Sequence, residues 1–527
     1  MERRVTLWLA VAVFICIGVL PIAVMLVRSL FVDGELSSEY YRDLFFGSSS
    51  WPLARNSLLL ASLTTLFTTT LGVPLGVLFG KTNLPGRNWL TALFIVPFLL
   101  PPYINAISWS HLVSREGLLA EILGAPVAEA ASQQLFGLMG CILVLTISFL
   151  PIPMLLTMVY LRGIPSRLEE AARLSARWPT VLSRVTLPLI VPGVTAGAVL
   201  VFLLTSGELS VPSFLRYRVF PLLSFTEFTA SYNFGAAAAA AAPLVAGVIL
   251  ILGAERALVG EGFSFGAPTS GELLRIPLGG YRWPVLGLTL LLLFLTVISP
   301  LVSLIAEAAS VPLLREALAR AGDAALRSIG FAAMGATGLT VLGFLLGYLI
   351  QRRESALWRT VDYFALVTFT LPGVVTGIGL ISVWNTPFTQ AIYGTAAIIL
   401  FGYIAQYTAV TARLSAAALS HIPVRMEEAA QLSGAGWFRR IAQIVLPLSR
   451  RGLGLCWLVA FLFCLRDAGL SLLVAPPGLD TLPARILTLM ANGSSGLIAA
   501  VCLLMIVSTL VPLGIIALVL RRLRGIE

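Results

Sequence analysis

The stretch IPSRLEEAARLS fills residues 164–175, and IPVRMEEAAQLS fills residues 422–433, with nine of twelve positions identical. Each copy runs through a short amphipathic segment to Leu187-Pro188-Leu189 or Leu446-Pro447-Leu448. The glutamates Glu170 and Glu428 are 258 residues apart and the prolines 259, so the first copy is one residue shorter. Local chemistry makes each copy a helix-turn-helix. Proline at the first helical position and a glutamate pair in the first turn (Glu169 and Glu170, Glu427 and Glu428) suit a helix N-terminus. Gly434 is placed to end the second helix in a left-handed conformation, and Trp437, Ile441 and Ile444 form an apolar stripe beyond it.

The chain around these copies is apolar. Of 527 residues, 58% are hydrophobic and 11% charged, against about 45–50% and about 25% in soluble domains. Mean hydropathy is +0.94. A soluble enzyme and a disordered chain are both excluded. A bilayer core takes about 20 apolar residues per helix, and twelve such runs are present, among them 89–113, 189–211, 361–385 and 451–475. The fold class is an all-α polytopic membrane protein of about twelve spans. The first run is too long for a signal peptide's apolar core and reads as a span.

Each copy follows the fourth span of a six-span half, so six crossings separate them and both emerge on one face. The halves are parallel repeats, 1–260 and 284–527, joined by a Gly- and Ser-rich linker at 261–283. The net charge of +10 fits basic loops held on the cytoplasmic side and argues against a nucleic-acid partner. Both termini are expected inside a bacterial plasma (inner) membrane, with lipid as the surrounding partner. The five cysteines lie in apolar runs and read as small buried hydrophobes. Alanines 236–242 read as a closely packing helix start.

At this point the sequence resembles the permease subunits of binding-protein-dependent ABC importers. Their cytoplasmic loop has Glu-Ala-Ala, then Gly, Ile and Leu-Pro at fixed spacing, and Glu428-Ala429-Ala430, Gly434, Ile444 and Leu446-Pro447 match it position for position. In the first half Glu170-Ala171-Ala172 and Leu187-Pro188 match, while Ala176 stands at the glycine position. The resemblance implies a type I importer permease fold. It implies that both loops carry coupling helices gripped by two copies of a cytosolic ABC ATPase, and that a periplasmic solute-binding protein delivers the substrate. It leaves the chain itself non-catalytic, with no cofactor of its own, ATP and magnesium residing on the partner. Gly76 to Thr82 imitates a phosphate loop but has three residues between its glycines where four are needed. Lys81, the only lysine, reads instead as an inner-face charge.

Away from helix ends the spans contain ionisable residues at Glu208, Arg466 and Asp467. Such groups are costly in hydrocarbon and face a bundle interior or a cavity. Glu208 and Asp467 each lie twenty residues after the proline of their half, so the repeat makes them equivalent. They are pathway candidates, as a gate or substrate contact, or else an interhelical ion pair. A cross-half pair of Arg466 with Glu208 fits either role. The surroundings of Asp467, with Pro476-Pro477-Gly478 and Thr481-Leu482, and of Glu208, with Val211-Pro212-Ser213, resemble ferric-iron importer permeases, which are single chains of two fused halves. Ferric iron is the expected cargo, with thiamine or phosphonate as alternatives. The chain presents no metal-ligand cluster, so selection of a ferric ion falls to the binding protein. An ion-coupled secondary transporter using the two carboxylates is a further alternative, but it would call for inverted repeats.

Overall fold

The third and ninth apolar runs each contain Leu-Pro at their middle, Leu100-Pro101 and Leu371-Pro372. In the computed structural model both runs are broken there. The structure describes residues 2–32, 35–47, 50–259, 274–353 and 357–524, with side chains to 515 in the last stretch. A proline removes a backbone donor and drives the residue before it out of the helical region. Leu100 (φ −91°, ψ 149°) and Leu371 (φ −67°, ψ 145°) are extended accordingly. The helix pairs Arg87–Leu99 with Pro102–Leu112, and Trp358–Thr370 with Gly373–Trp384, meet at 99° and 108°. The spans expected at 89–113 and 361–385 are therefore bent helix pairs. The other ten runs are matched by ten helices long and apolar enough to cross a membrane.

Four π-helical turns interrupt these helices, at Ile15–Val19, Leu182–Thr186, Phe294–Ile298 and Ile441–Val445. Each sits directly before a residue followed by proline: Leu20-Pro21, Leu187-Pro188, Ser299-Pro300 and Leu446-Pro447. A proline ring inside a helix clashes with the carbonyl four residues back. The π turn widens the coil at that point and lets the helix continue. The fifth and eleventh spans therefore start inside the repeated loops and run over Trp178–Ser206 and Trp437–Arg466. They end earlier than the expected 189–211 and 451–475, leaving Glu208 and Asp467 just past the helix ends.

The opening span of each half packs on the other half. Leu7, Ala10, Val11 and Phe14 of the first span join a core with Leu339, Tyr348, Ile398 and Tyr403. Leu293 and Val297 of the seventh span join Leu75, Phe79, Leu90 and Phe94. The repeat units are thus units of sequence, while the packed cores mix spans from both. Close approach is built alike in each half: a Cβ on Gly76 would lie 2.6 Å from the Met154 carbonyl oxygen, and one on Gly347 2.5 Å from that of Ala412. Of the linker, 261–273 lies outside the described residues. Residues 274–283 are ordered: Ile276 bonds the Lys81 carbonyl (2.8 Å), and the seventh span begins with a turn at Gly279–Tyr281.

The two repeated loops share one end of the helical body. The fifth span leaves the first loop and the sixth returns, ending near Arg256. Arg256 bonds Asp362 in the first turns of the ninth span, and Asp362 also takes Arg413 (2.9 and 3.0 Å) from the end of the tenth. The second loop follows directly.

Candidate coupling loops and the seam between the halves

The first loop contains a helix at Ser166–Ser175 and the second one at Val424–Leu432. In both, the first glutamate of the pair points into the protein and the second points out. Glu169 is fully buried, takes the Lys81 ammonium, and accepts a bond from Thr186 Oγ1 at 2.9 Å. Glu427 accepts from the Tyr348 hydroxyl (2.7 Å) and from Arg352 Nη2 (2.6 Å), while Arg440 reaches its backbone carbonyl (3.4 Å). Lys81 and Arg352 are the last residues of the second and eighth spans. Each half therefore ties its loop helix to the end of its own second span by a buried, charge-assisted contact. The reading of Lys81 as a plain inner-face charge is corrected: it is buried and paired.

The residues that match the family pattern face outward. Glu170, Ala171, Glu428 and Ala429 are exposed, and Ala172 and Ala430 half-buried. Leu174 and Leu432, equivalent under the repeat, are both 90% exposed. Trp437 and Ile441 are buried and Ile444 half-buried, with Trp437 edge-on to Tyr348 at 6.2 Å. Pro188 and Pro447 lie exposed at the start of the helical segments that follow the π turns.

The two loop helices end differently. Gly434 has φ +84°. Its N–H bonds the Gln431 carbonyl (3.0 Å) and that of Ala435 bonds Ala430 (3.0 Å), the paired bonds of a Schellman motif. Ala176, in its place in the first half, is extended (φ −141°, ψ 155°), and Arg173 Nη1 caps its carbonyl at 2.8 Å. Without a left-handed residue the chain leaves the helix directly. That accounts for the first copy being one residue shorter.

At the other end of the fifth and eleventh spans the halves meet. Asp467 is 7% exposed; it accepts from the Tyr407 hydroxyl (2.8 Å) and the Ser471 backbone N–H (2.9 Å). Glu208 is half-buried and accepts from the Ser210 N–H at 2.9 Å. The expected Arg466–Glu208 ion pair is replaced by another cross-half contact, in which Arg466 Nη1 donates to the Phe98 carbonyl and the guanidinium lies over the Phe98 ring at 5.0 Å. The break after Leu99 leaves carbonyls without helical partners, and the half-buried Arg466 satisfies one of them. In the ninth span the freed carbonyls of Phe369 and Leu371 take Gln406 (3.1 and 2.8 Å). Phe98 and Phe369 both stand edge-on to Phe463, at 6.2 and 5.8 Å. Gly207 abuts the other break, where an added Cβ would lie 3.1 Å from Pro372 Cγ. Among the described residues no group of three or more His, Cys, Asp or Glu could hold a metal.

The sequence reading missed Lys81, Thr186, Tyr348 and Arg352 as partners of the loops, and Phe98 and Tyr407 as partners of the charges. One signal for the first set was available: Lys81 and Arg352 both close a second span at matching places in the two halves.

Two parallel six-span halves with a helix-bearing loop in each define a permease body of the type I ABC importer fold. Residues 340–525 match the family of binding-protein-dependent transport system inner membrane components. The Escherichia coli molybdenum transport system permease protein ModB is 31% identical over 164 residues, 30% of this chain and 68% of ModB. A probable ABC transporter permease of Sinorhizobium fredii, y4fN, is 24% identical over 484 residues, 84% of each chain. A ferric transport system permease of Haemophilus influenzae, FbpB 1, is 20% identical over 453 residues, 81% of this chain and 70% of that one. A match to a molybdenum permease of Haloferax volcanii spans 63% of that protein's length. The chain belongs to the binding-protein-dependent ABC transport permease family.

Proposed function

We propose that this permease moves a substrate handed over by an extracellular binding protein, and that ATP hydrolysis on two separate subunits drives it through the loops at 164–188 and 422–447. The observation that carries this reading is the split orientation of the glutamate pairs. Glu169 and Glu427 lock each loop helix to the transmembrane body, while Glu170, Leu174, Glu428 and Leu432 are left exposed for a partner. A leucine left 90% exposed at the same place in both loops is apolar surface whose burial by a partner would be favourable. Both termini lie on the ATPase side of a bacterial plasma membrane in this reading.

Ferric iron is the cargo we favour. The seam carries two carboxylates, Glu208 and Asp467, against one guanidinium, Arg466, a balance that suits a cation better than an oxyanion. The single-chain likeness to the ferric relative over most of the sequence supports the same choice. Molybdate is the second reading, supported by the higher identity to the molybdenum permeases over a shorter stretch. Purification of the chain with candidate ATPases and binding proteins, followed by uptake of labelled ferric iron and labelled molybdate into proteoliposomes, tests both levels. Uptake of molybdate alone would overturn the iron reading. Failure of any ATPase to bind, in a well-folded preparation, would overturn the coupling role of the loops.

A further inference from the structure

The sixth and ninth spans, one from each half, meet at the loop-bearing end of the body, and polar contacts cross between them there. Arg256 pairs with Asp362 and donates from Nη1 to the Arg359 carbonyl (3.2 Å). Its guanidinium lies over the Tyr363 ring at 5.0 Å, and the Tyr363 hydroxyl donates to the Ile249 carbonyl (2.6 Å). One turn before Arg256 the seam is apolar: Leu252 is 2% exposed, in one core with Leu366 and Val367. Asp362 is shared unequally. Within the second half it takes Arg413 side-on, through Nε (3.0 Å) and Nη2 (2.9 Å), while Arg256 reaches it from the first half. Breaking a buried pair is expensive when it orphans a charge. Here it orphans none: parting the seam returns Arg256, whose side chain is already 30% exposed, to water and leaves the carboxylate with a two-point partner.

We propose that Arg256, Asp362 and Tyr363 form a reversible latch that closes the permease on the loop-bearing side, at one of its two pseudo-symmetric seams. Aligning Leu100-Pro101 with Leu371-Pro372, and the first loop with the second, puts Thr91, Ala92 and Leu155 where Asp362, Tyr363 and Arg413 stand. The other seam therefore lacks the ionic contact. Arg413 lies on the tenth-span helix Ala397–Ser420, nine residues before the second loop begins at Ile422. A movement of that loop thus reaches the latch through the carboxylate they share. Beside Arg256, Glu255 is 5% exposed and its Oε1 has no partner among the described residues. Water admitted by opening would satisfy that oxygen and offset part of the cost.

The test uses the full chain in nanodiscs without its partners, so the outcome does not depend on cargo or ATPase. Cys16, the exposed cysteine of the five, is replaced by serine, and Leu252→Cys sets a thiol beneath the latch. Reaction of that thiol with a water-soluble maleimide reads opening of the seam. Arg256→Gln should speed labelling about tenfold, the effect of losing a charge-assisted bond, with thermal melting unchanged. Arg256→Lys keeps a cation for Asp362 and should recover most of the closure. Equal labelling in the parent and in Arg256→Gln overturns the proposal. So does labelling as fast in Arg256→Lys as in Arg256→Gln with melting lowered in both, which would mark a packing contact alone.

Discussion

Replacing Lys81 with methionine tests whether the first coupling helix is held by its buried pair. The substitution keeps the aliphatic stem and removes the ammonium, leaving the Glu169 carboxylate fully buried with only the Thr186 hydroxyl. Breaking a buried pair from one side costs about 3–5 kcal/mol. If that cost falls on the seating of Ser166–Ser175, the unseated population rises roughly a hundredfold to several thousandfold, at about 1.4 kcal/mol per decade. Hydrogen exchange of the amides in 166–175 reads this population directly. Adding Glu169→Gln to Lys81→Met should bring exchange back toward wild type, because no unpaired charge then remains and Thr186 can still donate to the amide oxygen. The equivalent Arg352→Met should cost less, since Glu427 keeps the Tyr348 hydroxyl and Arg440 at its backbone. Unchanged exchange in Lys81→Met, or a double variant more perturbed than the single, would refute the reasoning.

Gly434→Ala meets no atom within 4 Å but must hold a left-handed backbone, so the second loop should lose about 1–2 kcal/mol; Ala176→Gly should stabilise nothing, and thermal melts of both variants check the contrast. Glu428→Lys changes an exposed side chain and should leave melting unaltered while abolishing stimulation of the ATPase in the reconstituted complex. Leu174→Glu and Leu432→Glu should each lower ATPase co-purification by tenfold or so, at about 1.4 kcal/mol for an anchor lost, with monodisperse elution retained. Asp467→Asn can keep an oxygen on the Ser471 N–H and offer its NH2 to the Tyr407 hydroxyl, which can accept, so it removes the charge and leaves the packing; uptake should fall with assembly intact, and wild-type uptake would leave Asp467 a packing role alone.

Hydropathy and repetition made the architecture legible: the twelve runs, the two halves and the two loops follow from 20-residue apolar stretches and a nine-in-twelve match. Hydropathy is blind to backbone direction, however, and so it passed through Leu100-Pro101 and Leu371-Pro372 without a break. The prolines themselves carried that information, since the residue before a proline avoids the helical region. The exchange of opening spans between halves had no signal at all, because Leu7 and Val11 are equally apolar whichever half they bury against. For the charges, spacing singled out Glu208, Arg466 and Asp467 but paired Arg466 with the wrong group. Arg466 was matched to a carboxylate by sign, whereas the structure gives it a carbonyl, a partner that exists only because the third span is broken. Likewise Glu169 and Glu427 look no different from Glu170 and Glu428 on paper; one residue of helical rotation, about 100°, decides which is buried.

The same geometry connects the loops to the seam. Leu446–Arg466 is one uninterrupted helical segment of 21 residues, about 30 Å long, with the π turn and Pro447 at its loop end and Arg466 at its far end. The π turn at Ile441–Val445 interrupts the regular i→i+4 ladder of the eleventh span. A bend of about 8° at that point carries the far end about 4 Å over a 30 Å segment. That is more than a hydrogen bond tolerates. If the second loop couples as proposed, such a bend would separate Arg466 from the Phe98 carbonyl and draw Phe463 away from Phe98 and Phe369. In the first half Leu187–Ser206 carries Pro192 within it, and its far end packs Leu203 in one core with Leu371 and Val374, with Gly207 beside Pro372. The two far ends are therefore chemically unequal: one is held across the halves by a guanidinium–carbonyl bond, the other by apolar packing around Leu203, Leu371 and Val374.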